Sequence, residues 1–80
     1  MNRISIIGIT VKRPKESSAE VNQIISDFGE IIVGRMGIPY REKKLSVITL
    51  MVDGSTDQIG ALTGKLGQIK NVKVKSVILI

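Results

Sequence analysis

Gly34-Arg35-Met36-Gly37-Ile38-Pro39-Tyr40-Arg41-Glu42 is the stretch on which the reading of this chain turns. It interrupts a run that otherwise reads as a β-strand from about Glu30 to Ile38. Two glycines three residues apart let the backbone bend or approach another group closely. Pro39, Tyr40 and Arg41 then read as a turn. Apolar, β-branched alternation resumes at Leu45 and runs to Val52, so the turn joins two strands as a hairpin. A strand built only for packing would hold valine or isoleucine where Arg35 stands. Two readings are open: an edge strand with a bulge, or a contact with a ligand or partner.

On the N-terminal side a first strand is expected from about Arg3 to Lys12, carrying Ile4, Ile6, Ile7, Ile9 and Val11. Arg13-Pro14-Lys15-Glu16 reads as a loop, and Ser17 to Glu20 as a capping box opening a helix. Val21, Ile24, Ile25 and Phe28 follow at i, i+3, i+4 and i+7, the spacing of an amphipathic helix, and Gly29 ends it at C′. After the hairpin, Asp53-Gly54 reads as a turn and Ser55 to Gln58 as a second capping box. Ile59, Leu62, Leu66 and Ile69 mark a second helix ending near Gly67, and Val72 to Ile80 a last strand. The order β-α-β-β-α-β over residues 1–80 predicts one α+β domain of ferredoxin-like fold. Right-handed crossovers then give a four-stranded antiparallel sheet in order 4-1-3-2, with both helices on one face.

Two helices cover one face of such a sheet, yet the strands are apolar on both. Ile4 and Ile6 alternate against Ile7, Ile9 and Val11, and Leu45, Val47 and Met51 alternate against Ile48, Leu50 and Val52. Strands buried on one side should read apolar-in, polar-out. The open face is therefore expected to pack against another copy, as a dimer or tetramer, through Ile7, Ile9, Val11, Ile48, Leu50, Val52, Val77 and Leu79. In the second helix Gly60, Gly64 and Gly67 form one stripe, expected to serve close packing against the first helix or a neighbouring subunit.

Composition narrows the chemistry. The 80 residues include no cysteine and no histidine. Disulfides, thiolate metal sites and the commonest general base are thereby excluded. The seven acidic residues are scattered, so no metal and no cofactor is expected, and no nucleophile–base pair stands at motif spacing. No apolar run approaches the ~20 residues of a membrane span, and the N-terminal residues lack a signal-peptide pattern, so a cytoplasmic protein is expected. The net charge of +5 is unevenly placed. The fold would gather Lys12, Arg13, Lys15, Arg41, Lys43, Lys44 and Lys70 at one end, with Lys73 nearby, and Asp27, Glu30, Asp53 and Asp57 at the other. The start of the first helix lies at the basic end, where a carboxylate or phosphate is favoured. A solvated loop rim explains the same charges equally well.

Gly34 to Glu42, together with Ala61-Leu62-Thr63-Gly64-Lys65-Leu66-Gly67, resembles the small family of iron-only hydrogenase system regulators over nearly the whole chain. That family is similar in fold to ACT regulatory domains and to the C-terminal effector domain of the nickel-responsive repressor. The resemblance implies an oligomeric, ligand-sensing or regulatory protein tied to hydrogenase expression or maturation, which, if it regulates transcription, acts through a protein partner. With no His and no Cys, the residues themselves argue against an enzyme. The repressor's nickel ligands are His and Cys, partly on its second strand, where this chain has Gly34, Arg35, Met36 and Gly37; nickel sensing is not carried over. The expected ligand-binding residues are Gly34, Arg35, Met36, Gly37, Tyr40 and Arg41, with the two arginines pairing to a small anion. The alternatives are a nucleic-acid-binding protein using the basic end and a ligand-free adaptor. With one Tyr and one Phe, a base-stacking sheet of the RNA-recognition kind is not expected.

Overall fold

The computed structural model describes residues 2–80. Strand β1 (Arg3–Val11) leads into helix α1 (Pro14–Asp27), and β2 (Ile32–Tyr40) is joined to β3 (Leu45–Gly54) by a 3₁₀ turn over Arg41–Lys43. Helix α2 (Thr56–Gly67) and strand β4 (Val72–Ile78) complete the chain. The sheet runs β2-β3-β1-β4 with every neighbouring pair antiparallel, which is the expected order read from the other edge.

Register decides which side chains share a face. Ile7 stands opposite Leu50 and Ser76, and Ile9 opposite Ile48 and Val74. Ile7, Ile9, Ile48 and Leu50, with Val11 and Val52, lie under the helices with Val21 and Ile25 of α1 and Ile59, Leu62 and Leu66 of α2, and Val74 packs against them. Ile31 and Ile69 close the core from the loops. Each fully buried aliphatic side chain contributes about 1.5–3 kcal/mol relative to exposure.

This placement corrects the expected docking face. Ile7, Ile9, Val11, Ile48, Leu50 and Val52 are buried within the chain and form its own core. Of the eight residues expected there, Val77 and Leu79 are exposed. The uncovered face instead carries the other alternation. Ile6 stands opposite Met51 and Val77, and Ile38 opposite Val47. Met36, Ile38, Tyr40, Val47, Met51 and Val77 are all exposed there, Val77 to 60%.

The two helices start differently. At α2 the capping box is present: Ser55 Oγ accepts from the Gln58 N–H at 3.1 Å, and Gln58 Oε1 accepts from the Ser55 N–H at 2.9 Å. At α1 the expected box is absent. The helix begins one turn earlier, with Pro14 in its first turn and Arg13 as an N-cap whose side chain makes no capping hydrogen bond. Proline is preset for that position, since its fixed φ suits the helix and its missing N–H would have no partner there. Ser17 is consequently inside the helix and buried, and its hydroxyl donates to the Lys70 carbonyl at 2.8 Å. That bond ties α1 to the α2–β4 connection. Gly29 follows α1 where expected, but with no left-handed backbone. The chain leaves the helix through successive short turns, Gly29 N–H to Ser26 O and Ile31 N–H to Phe28 O. Asp53 and Gly54 belong to β3 rather than to a turn.

The glycine stripe of α2 does not pack against α1. A Cβ placed at Gly60, Gly64 or Gly67 would meet nothing within 4 Å. Glycine inside a helix costs about 0.8–1 kcal/mol relative to alanine. Gly60→Ala and Gly64→Ala are therefore expected to stabilise the folded chain by about 1 kcal/mol each in urea titrations, with m unchanged. If either lowers stability, α2 is in contact with something beyond its own chain.

Candidate functional site

Antiparallel topology brings three connections to one end of the sheet: β1–α1, the β2–β3 turn and α2–β4. The Lys12 N–H donates to the Asn71 carbonyl at 2.8 Å, and Ser17 reaches Lys70, so the first and third connections are bonded together. Asn71 and Lys44 adopt left-handed backbone, with φ of 67° and 56°. Asparagine tolerates that region well; lysine adopts it more rarely, here closing the 3₁₀ turn with its N–H on Arg41 O at 3.1 Å.

A cleft of about 630 Å³ opens between the β1–α1 and β2–β3 connections. Its charged lining is Lys12, Arg13, Lys15, Arg41 and Lys44, with Glu16 as the one acid. Pro14, Pro39, Leu45 and Ser46 complete the walls. Glu16 is engaged to one side: its carboxylate lies 3.7 Å from the Arg13 guanidinium and accepts from Asn71 Nδ2 at 3.5 Å. The first turn of α1 faces the same space without a side-chain cap, so its positive end adds to the cations. A second, smaller hollow of about 270 Å³ lies on the other side of Lys12, against Asn71, Val72 and Lys73.

The six expected ligand residues are not brought together. Only Arg41 lines the cleft. Gly34, Met36 and Tyr40 stand opposite Met51, Thr49 and Leu45, on the uncovered face of the sheet. Arg35 and Gly37 stand opposite Leu50 and Ile48, on the helix side. There the Arg35 guanidinium donates to Asn22 Oδ1 of α1 at 2.9 Å. Arg35 and Tyr40 are five strand positions apart, roughly 17 Å, so the two arginines cannot clasp one small anion. A bulge between Ile32 and Gly34 sets this parity. Pro39 and Tyr40, read as turn residues, are the last residues of β2. Lys12, Arg13, Lys15 and Lys44 were seen in the sequence as part of a basic end, but not as the walls of one cleft.

No group of three or more His, Cys, Asp or Glu among the described residues could hold a metal ion. No helix among them is long and apolar enough to cross a membrane.

A βαββαβ chain with this sheet order and both helices on one face has the ferredoxin-like fold, which ACT domains share. The chain superimposes on the ACT domain of GTP pyrophosphokinase from Chlorobium tepidum with a TM-score of 0.80 at 19% identity, covering 96% of this chain and 100% of that one. Residues 3–76 match the family described as "TM1266-like: Iron-only hydrogenase system regulator, putative", and the chain belongs to that family. The uncharacterized protein TM1266 from Thermotoga maritima is similar throughout, with 40% identity, full coverage of both chains and a TM-score of 0.96. A cofactor-independent oxygenase from Streptomyces nogalater shares the fold at 11% identity and a TM-score of 0.63, covering 100% of this chain and 93% of that one. Regulatory domain and enzyme thus occupy one architecture, and function has to be argued from the site. Comparison with curated proteins gave no match.

Proposed function

We propose that this chain is a cytoplasmic, self-associating regulatory module of the iron-only hydrogenase system. It senses a small anionic effector at its basic end and passes the signal to a protein partner. The observation that carries this reading is the cleft walled by Lys12, Arg13, Lys15, Arg41 and Lys44. Five cations against one acid around one concavity raise the local anion concentration, and the Arg41 guanidinium offers paired donors to a carboxylate or phosphate. The uncovered sheet face, with Ile6, Met36, Ile38, Val47, Met51 and Val77, is the surface on which a second copy packs. An apolar sheet face of this kind is more than soluble monomers usually expose. No reaction is proposed, since the cleft has no nucleophile beside a general base.

A thermal-shift screen of carboxylates, amino acids and phosphates at low salt tests the sensor. A ligand at 100 times its Kd adds about 2.7 kcal/mol, a rise on the order of 10 °C for a domain of this size. Arg41→Ala combined with Lys12→Ala is expected to abolish the rise while leaving the unliganded Tm within a few degrees. Arg35→Ala is expected to leave it intact, because Arg35 is held by Asn22 outside the cleft. A screen in which no anion raises Tm rejects the sensor and favours the adaptor.

A further inference from the structure

We propose that the basic-end cleft takes an organic polyphosphate, of the class of nucleoside di- and triphosphates, in preference to a singly charged acid. This rests on the anion-sensing reading and names the chemistry of its ligand.

Charge matching is the first argument. Lys12, Arg13, Lys15, Arg41 and Lys44 line one cleft, with Glu16 the one acid in its lining and Glu42 next to Arg41 outside it. Arg13 and Asn71 already hold the Glu16 carboxylate at the flank. One carboxylate can pair with one guanidinium, or with one or two ammonium groups. It would leave most of the cations facing each other. A chain of two or three phosphate groups supplies charge along its length and can meet several of them at once. The uncapped first turn of α1 adds fixed positive charge on the same side.

Size and wall chemistry are the second argument. About 630 Å³ of open groove is far more than a bare phosphate or a short acid fills, and it leaves room for a larger organic ligand lying partly in solvent. Pro14, Pro39 and Leu45 line the cleft beside the cations. These apolar walls suit the flat face of a nucleobase, which inorganic polyphosphate lacks. The walls and the cations together define a ligand with one polyanionic end and one flat organic end.

Isothermal titration of the full chain at low salt, with ATP, ADP, adenosine, inorganic tripolyphosphate and acetate as probes, tests this. ATP and ADP are expected to bind at least tenfold more tightly than adenosine, acetate or tripolyphosphate. Their affinity should fall several-fold on raising the salt. Arg41→Ala and Lys44→Ala should each weaken ATP about tenfold, and Arg35→Ala should leave it unchanged. Acetate binding as tightly as ATP overturns the polyphosphate assignment and leaves anion sensing standing. Tripolyphosphate equal to ATP overturns the organic half of the proposal. A short oligonucleotide that displaces ATP with far higher affinity overturns it in favour of a nucleic-acid surface. Failure of every anion to bind removes both the ligand class and the sensor reading.

Discussion

Met51→Glu is expected to turn a self-associating chain into folded monomers. Met51 lies on the uncovered face, opposite Ile6 on β1 and Gly34 on β2, with Val77 beyond Ile6. It is 38% exposed in the isolated chain, so a carboxylate there can reach water and the fold should hold. In an assembly with a second copy on this face, the same carboxylate loses its water among apolar side chains. An unpaired charge so placed costs several kcal/mol. At 1.4 kcal/mol per decade, that weakens association by roughly a hundredfold or more. Sedimentation velocity over a range of concentrations should show wild type as an oligomer and the variant as a monomer, with matching circular dichroism. A wild-type monomer at micromolar concentration removes the self-association proposal. A Met51→Glu oligomer moves the interface elsewhere, with the α2 glycine face as the next surface to test.

The element order was legible because two periods do not mimic each other. Val21, Ile24, Ile25 and Phe28 repeat with the turn of a helix, while Leu45 to Val52 alternates as a strand. Parity was not legible in the same way. Both alternations on β1 and β3 are largely apolar, so hydrophobicity alone assigns neither to the helices. A weaker signal lay in the residues between. Gly8 and Thr10 share a face with Ile4 and Ile6, and Thr49 lies between Val47 and Met51. On β3 the opposite set, Ile48, Leu50 and Val52, is aliphatic throughout, which is the mark of the core side. A one-residue error in parity moves every side chain of a strand to the other face. The misreading therefore shifted six of the eight expected docking residues together.

The expected ligand residues are spread apart for a related reason. In sequence, Arg35 and Arg41 look like a pair. The bulge between Ile32 and Gly34 directs Arg35 toward α1, and the 3₁₀ turn takes Arg41 to the basic end. A local motif of nine residues was split across two faces and one end of the sheet. Charge polarity survived because it depends only on which loops share an end, and topology alone fixes that. What topology could not supply is the cleft. It exists because Pro14 starts α1 one turn earlier than the Ser17 box implied, setting the first turn of the helix opposite Arg41 and Lys44.

Leu50→Ala, one residue from Met51, is expected to have the opposite outcome and to cost a large share of the chain's stability. Leu50 is fully buried at the centre of β3, opposite Ile7, within the cluster that includes Leu62 and Leu66. Truncation there loses the transfer free energy of the removed carbons and leaves a cavity that the sheet can close only in part, about 2–5 kcal/mol. A domain of 80 residues has on the order of 4–12 kcal/mol in all. At about 4–8 °C per kcal/mol, Tm should fall by roughly 10 °C at the least. Leu50→Met conserves volume and should cost less than about 1.5 kcal/mol. Met51→Ala, measured where the protein is monomeric, should stay within about 0.5 kcal/mol of wild type. Because any self-association stabilises the folded chain by mass action, the comparison is made at several protein concentrations and extrapolated to the dilute limit. If Met51→Ala lowers Tm there while Leu50→Ala does not, the two faces of the sheet have been assigned the wrong way round, and the docking surface, the core and the placement of Arg35 all change together.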